Sequence, residues 1–257
     1  MSSLLIEGVG KSFGSLEVLR DLELVVEPGE FAAVIGPSGS GKSTLFNLVS
    51  GLDRPTSGRV LVEGEPAGVA SGKVAYMPQK DLLFPWRTVL DNTALGLEAQ
   101  GVRRKEARAR ADALFADFGL DGFQKAYPSQ LSGGMRQRAA LLRTVVLGRP
   151  VLLLDEPFGA LDSLTRTEMQ LWLAQMWQRH RWTVLLVTHD IREAVLLADT
   201  VHVLSPRPAT VVARVQVPPD RSRGVEDFTA PGFAATERRV LEALRGTPAV
   251  RAGVGEG

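Results

Sequence analysis

The 257-residue chain predicts an α/β fold, a mostly parallel sheet covered by helices, and three observations carry that expectation. Val151 to Leu154 and Thr183 to Thr188 are continuous aliphatic runs too short for helices, the pattern of strands buried on both faces. Phe31 to Ile35 is a third apolar run; it stops at the glycine-rich stretch Gly36 to Gly41 and leads into helical residues Lys42 to Ser50. Between the first two runs, Met169, Trp172, Leu173 and Met176 fall on one helical face, so strands alternate with helices.

The remaining elements follow in chain order. Val74 to Met77 reads as another strand. From Arg103 to Leu120, Ala107, Ala111, Leu114, Phe115 and Phe118 recur at spacings of three and four, which predicts an amphipathic helix ending before Gly119, with a basic opposite face. That basic run, Arg103-Arg104-Lys105 with Arg108 and Arg110, is interrupted by Glu106 and carries no interleaved aromatics, so it reads as a solvated helix face. Beyond Pro206 the pattern weakens and Pro218-Pro219 breaks the chain. Glu237 to Leu244 reads as one more helix, and Thr247 to Gly257 as a frayed, partly disordered tail. No internal repeat is present.

Composition narrows the functional classes. Hydrophobic residues at 44% and charged residues at 23% can form a sizeable core without staples. The net charge of +1 offers no global footprint for a nucleic-acid backbone, and no nucleic-acid partner is expected. With no cysteine, thiol catalysis and thiolate metal sites are excluded. His180, His189 and His202 are too scattered for a metal cluster. No run approaches the ~18 apolar residues of a membrane span, and Met1 to Phe13 lacks a leader's basic and apolar regions. The expectation is a soluble cytoplasmic chain that meets a membrane only through a partner.

The strongest motif is Gly36-Pro37-Ser38-Gly39-Ser40-Gly41-Lys42-Ser43-Thr44, a G-x-x-x-x-G-K-S loop between a predicted strand and a predicted helix. Its glycines let successive backbone N–H groups face inward onto phosphate oxygens, and the helix N-terminus adds partial positive charge. Lys42 suits the β- and γ-phosphates, and the Ser43 hydroxyl suits Mg²⁺. The Val151 run ends in Asp155, placed to hold Mg²⁺ through water, and Glu156 adds a second carboxylate suited to polarising a water. Hydrolysis of ATP, rather than binding alone, is the chemistry this pairing favours.

Leu131-Ser132-Gly133-Gly134-Met135-Arg136-Gln137-Arg138, together with the phosphate loop, resembles the signature of the ATP-binding cassette (ABC) family. Met135 departs from the commonest form of that peptide, as in a subfamily variant. The resemblance covers about Leu4 to Pro208. It implies a P-loop NTPase fold with a RecA-like core, an antiparallel β subdomain and an α-helical subdomain inserted over roughly 88–148, followed by an extension from 209 to 257. By this resemblance Gln79 contacts Mg²⁺ and the attacking water, His189 contacts the γ-phosphate, and Gly159-Ala160-Leu161-Asp162 reaches across a dimer. Phe13 matches the position of an adenine-stacking ring, although a core role fits it equally well. Ser132, Gly133 and Gly134 form a second set of donors before a helix. A monomer cannot easily aim both sets at one γ-phosphate, so a head-to-tail homodimer is implied.

Leu82-Leu83-Phe84-Pro85-Trp86 with Thr88-Val89-Leu90-Asp91-Asn92, and Leu204-Ser205-Pro206-Arg207-Pro208, are similar to the importer branch for nitrate, sulfonate, taurine and related solutes. The implied function is the ATPase subunit of such an importer. It would act on the cytoplasmic face of the inner membrane with integral permease subunits and, indirectly, an extracytoplasmic solute-binding protein. Leu82, Phe84 and Trp86 fit either a permease-binding groove or the core. A soluble cassette ATPase acting on DNA or ribosomes is the rival, but its long coiled-coil insertions or second cassette are lacking; an exporter is a second rival.

Overall fold

The structure, a computed structural model, describes residues 3–68, 70–219 and 221–246; the expected frayed tail from Thr247 lies outside them. Two sheets form the frame. Strands β1 (Leu4–Phe13), β2 (Leu16–Val26), β4 (Ser57–Val62) and β5 (Glu65–Pro66) make an antiparallel sheet in the order β2-β1-β4-β5. The second has the order β10-β9-β3-β8-β7-β6, from β3 (Phe31–Ile35), β6 (Val74–Met77), β7 (Val151–Asp155), β8 (Thr183–Thr188), β9 (Thr200–Leu204) and β10 (Val211–Gln216). Its strands run parallel except β10, which pairs antiparallel with β9.

Every residue of β3 and β8 is buried, as their unbroken apolar runs require. Alternate residues serve two cores. Ala32, Val34, Leu185 and Val187 pack with Leu45 and Phe46 of α1 (Lys42–Val49) and with Leu4 and Ile6 of the antiparallel sheet. Ala33, Ile35, Val184 and Leu186 face the other side. There they join Leu141 and Leu142 of α4 (Gly133–Val145), Leu173 and Trp177 of α5 (Ser163–His180), and Val195 and Leu196 of α6 (Ile191–Leu197). The parallel strands thus present their carboxyl ends, the usual ligand side of such sheets, along one edge of a rigid core.

The helices between β6 and β7 comprise α2 (Val89–Ala99), α3 (Arg104–Asp112) and α4. The helix expected over Arg103 to Leu120 is shorter: regular α-structure ends at Asp112. Leu114 and Phe115 then donate to Ala111 O and Asp112 O, three residues back, so the chain winds more tightly there. Phe115 and Phe118 enter the main core. The basic face is only partly a solvated one. Arg104 and Arg108 converge on Asp91 Oδ1 at 3.2 and 2.6 Å, while Arg110 pairs with Glu106. Arg104 and Arg108 hold the Asp91 carboxyl below its usual range, against the effect of burial. Among the described residues no helix is long and apolar enough to cross a membrane.

After β10 the chain returns to α6. Arg221 and Arg223 donate to the carbonyls of Val195, Leu196, Leu197 and Ala198, the end of a helix that would otherwise leave them without partners. Arg223 also pairs with Asp199, and its guanidinium lies 3.9 Å from the Trp177 ring centroid. Burial pushes Arg223 down to about 10, so it stays cationic at neutral pH. Helix α7 (Pro231–Arg245), longer at both ends than the expected Glu237 to Leu244, packs Phe233 and Val240 into the same core. Glu237 accepts from Arg192 at the other end of α6. Arg223→Ala strands Asp199 and a carbonyl inside the protein and is expected to cost ~3 kcal/mol. A urea midpoint equal to that of the unaltered chain would count against this capping role.

Candidate functional site

The loop from Gly36 to Gly41 joins β3 to α1. Gly41 has φ +105°, and a Cβ there would meet Val18 Cγ1 at 2.8 Å; one at Gly36 would lie 3.0 Å from Leu204 Cβ. Only glycine fits at Gly41, where the required φ and the close approach coincide. Ser38, Gly39 and Ser43 are exposed, Pro37 and Thr44 partly so. Ser40 is buried and its Oγ has no hydrogen-bond partner, an orphaned polar atom in the loop. Lys42 is buried, and its ammonium donates to Gly36 O and Pro37 O at 2.9 Å each. Burial lowers its pKa, while Glu156 and Asp155 pull it back up.

Those carboxylates stand at the end of β7, two strands from β3 across β8. Asp155 Oδ2 accepts from the Tyr76 hydroxyl at 3.0 Å. Burial, aided by Glu156, raises the Asp155 pKa, while Tyr76 and Lys42 oppose the rise. The Tyr76 phenol is itself pushed up, chiefly by burial, so it remains a donor. Glu156 has φ +43°, a strained conformation for a residue with a Cβ. Its N–H is anchored on Val187 O at 2.8 Å. Its carboxylate is held from two sides: Gln79 Nε2 donates to Oε2 at 2.9 Å, and His189 Nδ1 lies 3.3 Å from Oε1. Gln79 follows β6, His189 follows β8, and Glu156 follows β7 between them. Three neighbouring strands therefore bring together residues far apart in sequence.

The other expected residues lie elsewhere on the chain. Ser132 caps α4, its Oγ accepting from Met135 N at 3.2 Å; Gly133 and Gly134 form the first turn. Gly134 sits where a Cβ would be 3.2 Å from Thr165 Cγ2 of α5. Asp162 caps α5, accepting from Thr165 N at 3.1 Å, which lowers its pKa. Among the described residues no hydrogen bond joins the side chain of Ser132 or Asp162 to Lys42 or Glu156. Phe13 ends β1, half exposed, with Lys11 Nζ 4.8 Å from its ring centroid. It is no core residue. Leu82, Phe84 and Trp86 are likewise exposed, Trp86 to 72%. The segment carrying them is nevertheless fixed: Arg143 donates to Leu82 O at 2.7 Å and Asp81 O at 2.5 Å, and Asn92 exchanges hydrogen bonds with the Phe84 backbone.

The residues fit a magnesium nucleotide. Ser43 follows Lys42 in the chain, Asp155 acts electrostatically on Lys42, and Gln79 bonds Glu156, so all three bring hard oxygen donors to one cluster. Among the described residues no group of three or more His, Asp or Glu forms a ready metal cage. Sequence reasoning missed Tyr76, which no motif marks. It also missed the position of Arg207 beside the loop, where a Cβ on Gly39 would lie 3.4 Å from Nη2.

Residues 19–159 match the family model described as "ABC transporter". The chain is 48% identical to the formylaminopyrimidine import ATP-binding protein of Halalkalibacterium halodurans, over 82% of this chain and 83% of that one. It is 44% identical to the aliphatic sulfonates import ATP-binding protein of Burkholderia ambifaria, over 95% and 72%. Against the nitrate import ATP-binding protein of a Synechocystis strain the figure is 45%, over 79% and 76%. A dimeric bacterial ABC transporter cassette superposes with a TM-score of 0.72 at 29% identity, covering 84% of this chain and 99% of that one. The same cassette, bound to ADP and phosphate, gives 0.71 over the same shares. The chain thus belongs to the ABC transporter family, whose ATPase cassette it carries.

Proposed function

We propose that this chain is the ATP-hydrolysing subunit of an importer for a small solute, acting as a homodimer beneath a separate membrane permease. The observation that carries the catalytic part is the convergence of Lys42, Gln79, Asp155, Glu156 and His189 at the carboxyl ends of adjacent parallel strands. Gly36 to Gly41 and the start of α1 offer N–H groups to the triphosphate of ATP. Lys42 exchanges its contacts with Gly36 O and Pro37 O for phosphate oxygens. Ser43, Asp155 and Gln79 would hold Mg²⁺, which when bound neutralises phosphate charge. Glu156, held between Gln79 and His189, orients the water and accepts its proton as the oxygen bonds to the γ-phosphorus; ADP departs. His189 supports the γ-phosphate. Phe13, exposed with its ring face free of the core, stacks on adenine.

Ser132, Gly133 and Gly134 serve the nucleotide of the opposite subunit, and Asp162 meets that subunit at the interface. Ser132 and Asp162 are both exposed, at the N-termini of α4 and α5, which supports this reading. Leu82, Phe84 and Trp86 form the surface that receives the permease on the cytoplasmic face of the inner membrane. The cassette would extend over about 4–208, with its helical insertion at 88–148. An extracytoplasmic binding protein delivers the solute to the permease, and no nucleic-acid role is proposed. The solute class favoured is a small oxyanion or zwitterion of the nitrate, sulfonate or taurine type, supported by the nitrate and sulfonate relatives. A formylaminopyrimidine is the second reading, favoured by the 48% identity to that import protein.

The purified chain is expected to hydrolyse ATP with magnesium and to co-purify with an integral membrane protein from its own cells. Binding of ATP without turnover would overturn the enzymatic reading; association with ribosomes or DNA alone would overturn the transport reading. Replacing Phe84 and Trp86 together by Ala should leave the melting temperature within a few degrees, because both rings are exposed, yet abolish permease-stimulated ATPase. Burial would instead make such truncations cost roughly 3–5 kcal/mol each, seen as a large fall in melting temperature.

A further inference from the structure

Beside Glu156 and His189 lies a small cavity of about 10 Å³, whose walls include Glu156, Arg166, Thr188, His189 and Glu193. That volume is about the room one water needs. Two polar atoms on this wall lack partners inside the protein: Glu193 Oε1 and Arg166 Nε. The Arg166 N–H donates, while the Glu193 oxygen accepts when the carboxyl is ionised and donates when it carries its proton; a single water can bridge the two in either state. Both residues are also held through a second polar atom. Glu193, on α6, accepts through Oε2 from Thr188 Oγ1 at 3.2 Å and Gln170 Nε2 at 3.4 Å. Thr188 Oγ1 in turn accepts from Asp190 N at 3.0 Å, fixing the backbone on either side of His189. Arg166, on α5, donates through Nη2 to Leu161 O at 2.8 Å. The turn containing Leu161 begins at Glu156, whose carbonyl accepts from Gly159 N at 3.1 Å.

These contacts form a circuit. It starts at Glu156, runs through the turn to Leu161, Arg166, Glu193 and Thr188, reaches His189 and closes on the Glu156 carboxylate. Its one break is the span between Arg166 Nε and Glu193 Oε1, across the cavity. We propose that Arg166 and Glu193, joined by one water, are positioning residues that lock His189 and the 156–162 turn into register. Neither touches the nucleotide in this scheme; both act through His189 and Glu156. The inference rests on the ATPase reading above and goes beyond it, because the turn ends at Asp162, the proposed subunit contact. Engagement of the turn by a second subunit would therefore reach His189 through side chains already in place.

The charged groups around Glu193 are Arg166 on α5, Asp190 at the start of α6, and Glu156 and His189 at the strand ends; Gln170 is the neutral neighbour. Burial, with Asp190, pushes the Glu193 carboxyl up to about 8. Near neutral pH it therefore carries its proton, and ionisation would place a charge beside Asp190. Turnover of the unaltered chain should fall as the pH rises through about 8. Since the folded chain holds this proton between about 4.5 and 8 and the unfolded chain does not, this group's contribution to stability also falls across that window.

The test is steady-state ATPase of the full chain with magnesium from pH 6.5 to 9. Glu193→Ala and Arg166→Met should each lower kcat at least tenfold with KM for ATP within about threefold, because the loop that binds phosphate is untouched. Glu193→Gln, which mimics the protonated acid, should recover most of that loss at pH 7 and remove the fall near pH 8. If Glu193→Ala does not fold, the Gln and Arg166→Met profiles decide the matter alone. Unaltered kcat in the Ala and Met variants, or a pH limb unchanged in Glu193→Gln, overturns the proposal while leaving the ATPase reading intact. An unaltered chain that binds ATP without turnover overturns both.

Discussion

Glu156→Gln is expected to lower ATP turnover by roughly 10²–10⁴-fold, the range for loss of a positioned general base, while retaining ATP binding. The amide keeps an oxygen that can accept from Gln79 and occupies nearly the same volume, so the strained backbone at this position has no new reason to move. Only the proton acceptor is lost. Since hydrolysis would release the dimer, the variant should accumulate as an ATP-bound dimer with magnesium. Light scattering after size exclusion reads the mass, and a phosphate-release assay reads the rate. Turnover at the unaltered rate would remove Glu156 from its role.

Lys42→Ala should fail one step earlier. The ammonium sits within the loop, donating to the Gly36 and Pro37 carbonyls. Its loss removes charge-assisted hydrogen bonding worth about 1.5–3 kcal/mol to a bound anion, which corresponds to a roughly ten- to 150-fold weaker Kd for ATP. Burial already lowers the Lys42 pKa, and Asp155 and Glu156 sustain its charge. Fluorescent-nucleotide titration separates the two variants: Glu156→Gln binds and stalls, whereas Lys42→Ala barely binds. Equal affinities in both would contradict the assignment of Lys42 to the phosphates.

The phosphate loop and the strands flanking it were legible because their signals are local. A strand ending at Gly36, six residues of loop and a helix from Lys42 leave little freedom, and β3, α1 and β8 stand where the apolar runs place them. The antiparallel sheet was reached only through the family resemblance. Irregular pairing explains this: β1 shifts register between Ile6 and Val9 and again near Lys11, and Gly8 has φ +57°, so no clean alternation survives. The site divides in the same way. Lys42 and the Asp155-Glu156 pair announce themselves by spacing. Tyr76 bonds Asp155 from 79 positions away, and Glu193 reaches Gln170 across 23, with neither partner marked by a motif. The α3 overestimate has a related cause, since periodicity cannot distinguish an α-helix from the tighter turns that carry Phe115 and Phe118 inward.

The C-terminal segment shows how a weak pattern can conceal a specific fit. Beyond Pro206 hydrophobic spacing fades, yet β10 extends the parallel sheet as an antiparallel edge and Arg221 and Arg223 close the end of α6. Those bonds are side chain to backbone, and sequence periodicity carries no trace of them. Their position matters because α6 begins two residues after His189 and carries Glu193. A segment outside the phosphate-binding motifs thus stabilises the helix on which the proposed circuit depends.

Energy coupling to import is the central claim, and uptake by sealed vesicles tests it most directly. The vesicles would contain the chain with its permease, the solute-binding protein outside and ATP inside, and would be offered labelled nitrate, an alkanesulfonate, taurine or a formylaminopyrimidine. The expected result is accumulation of one of these solutes that requires internal ATP and magnesium and disappears with Glu156→Gln. Accumulation that proceeds equally without this chain, or with Glu156→Gln in its place, would contradict the account.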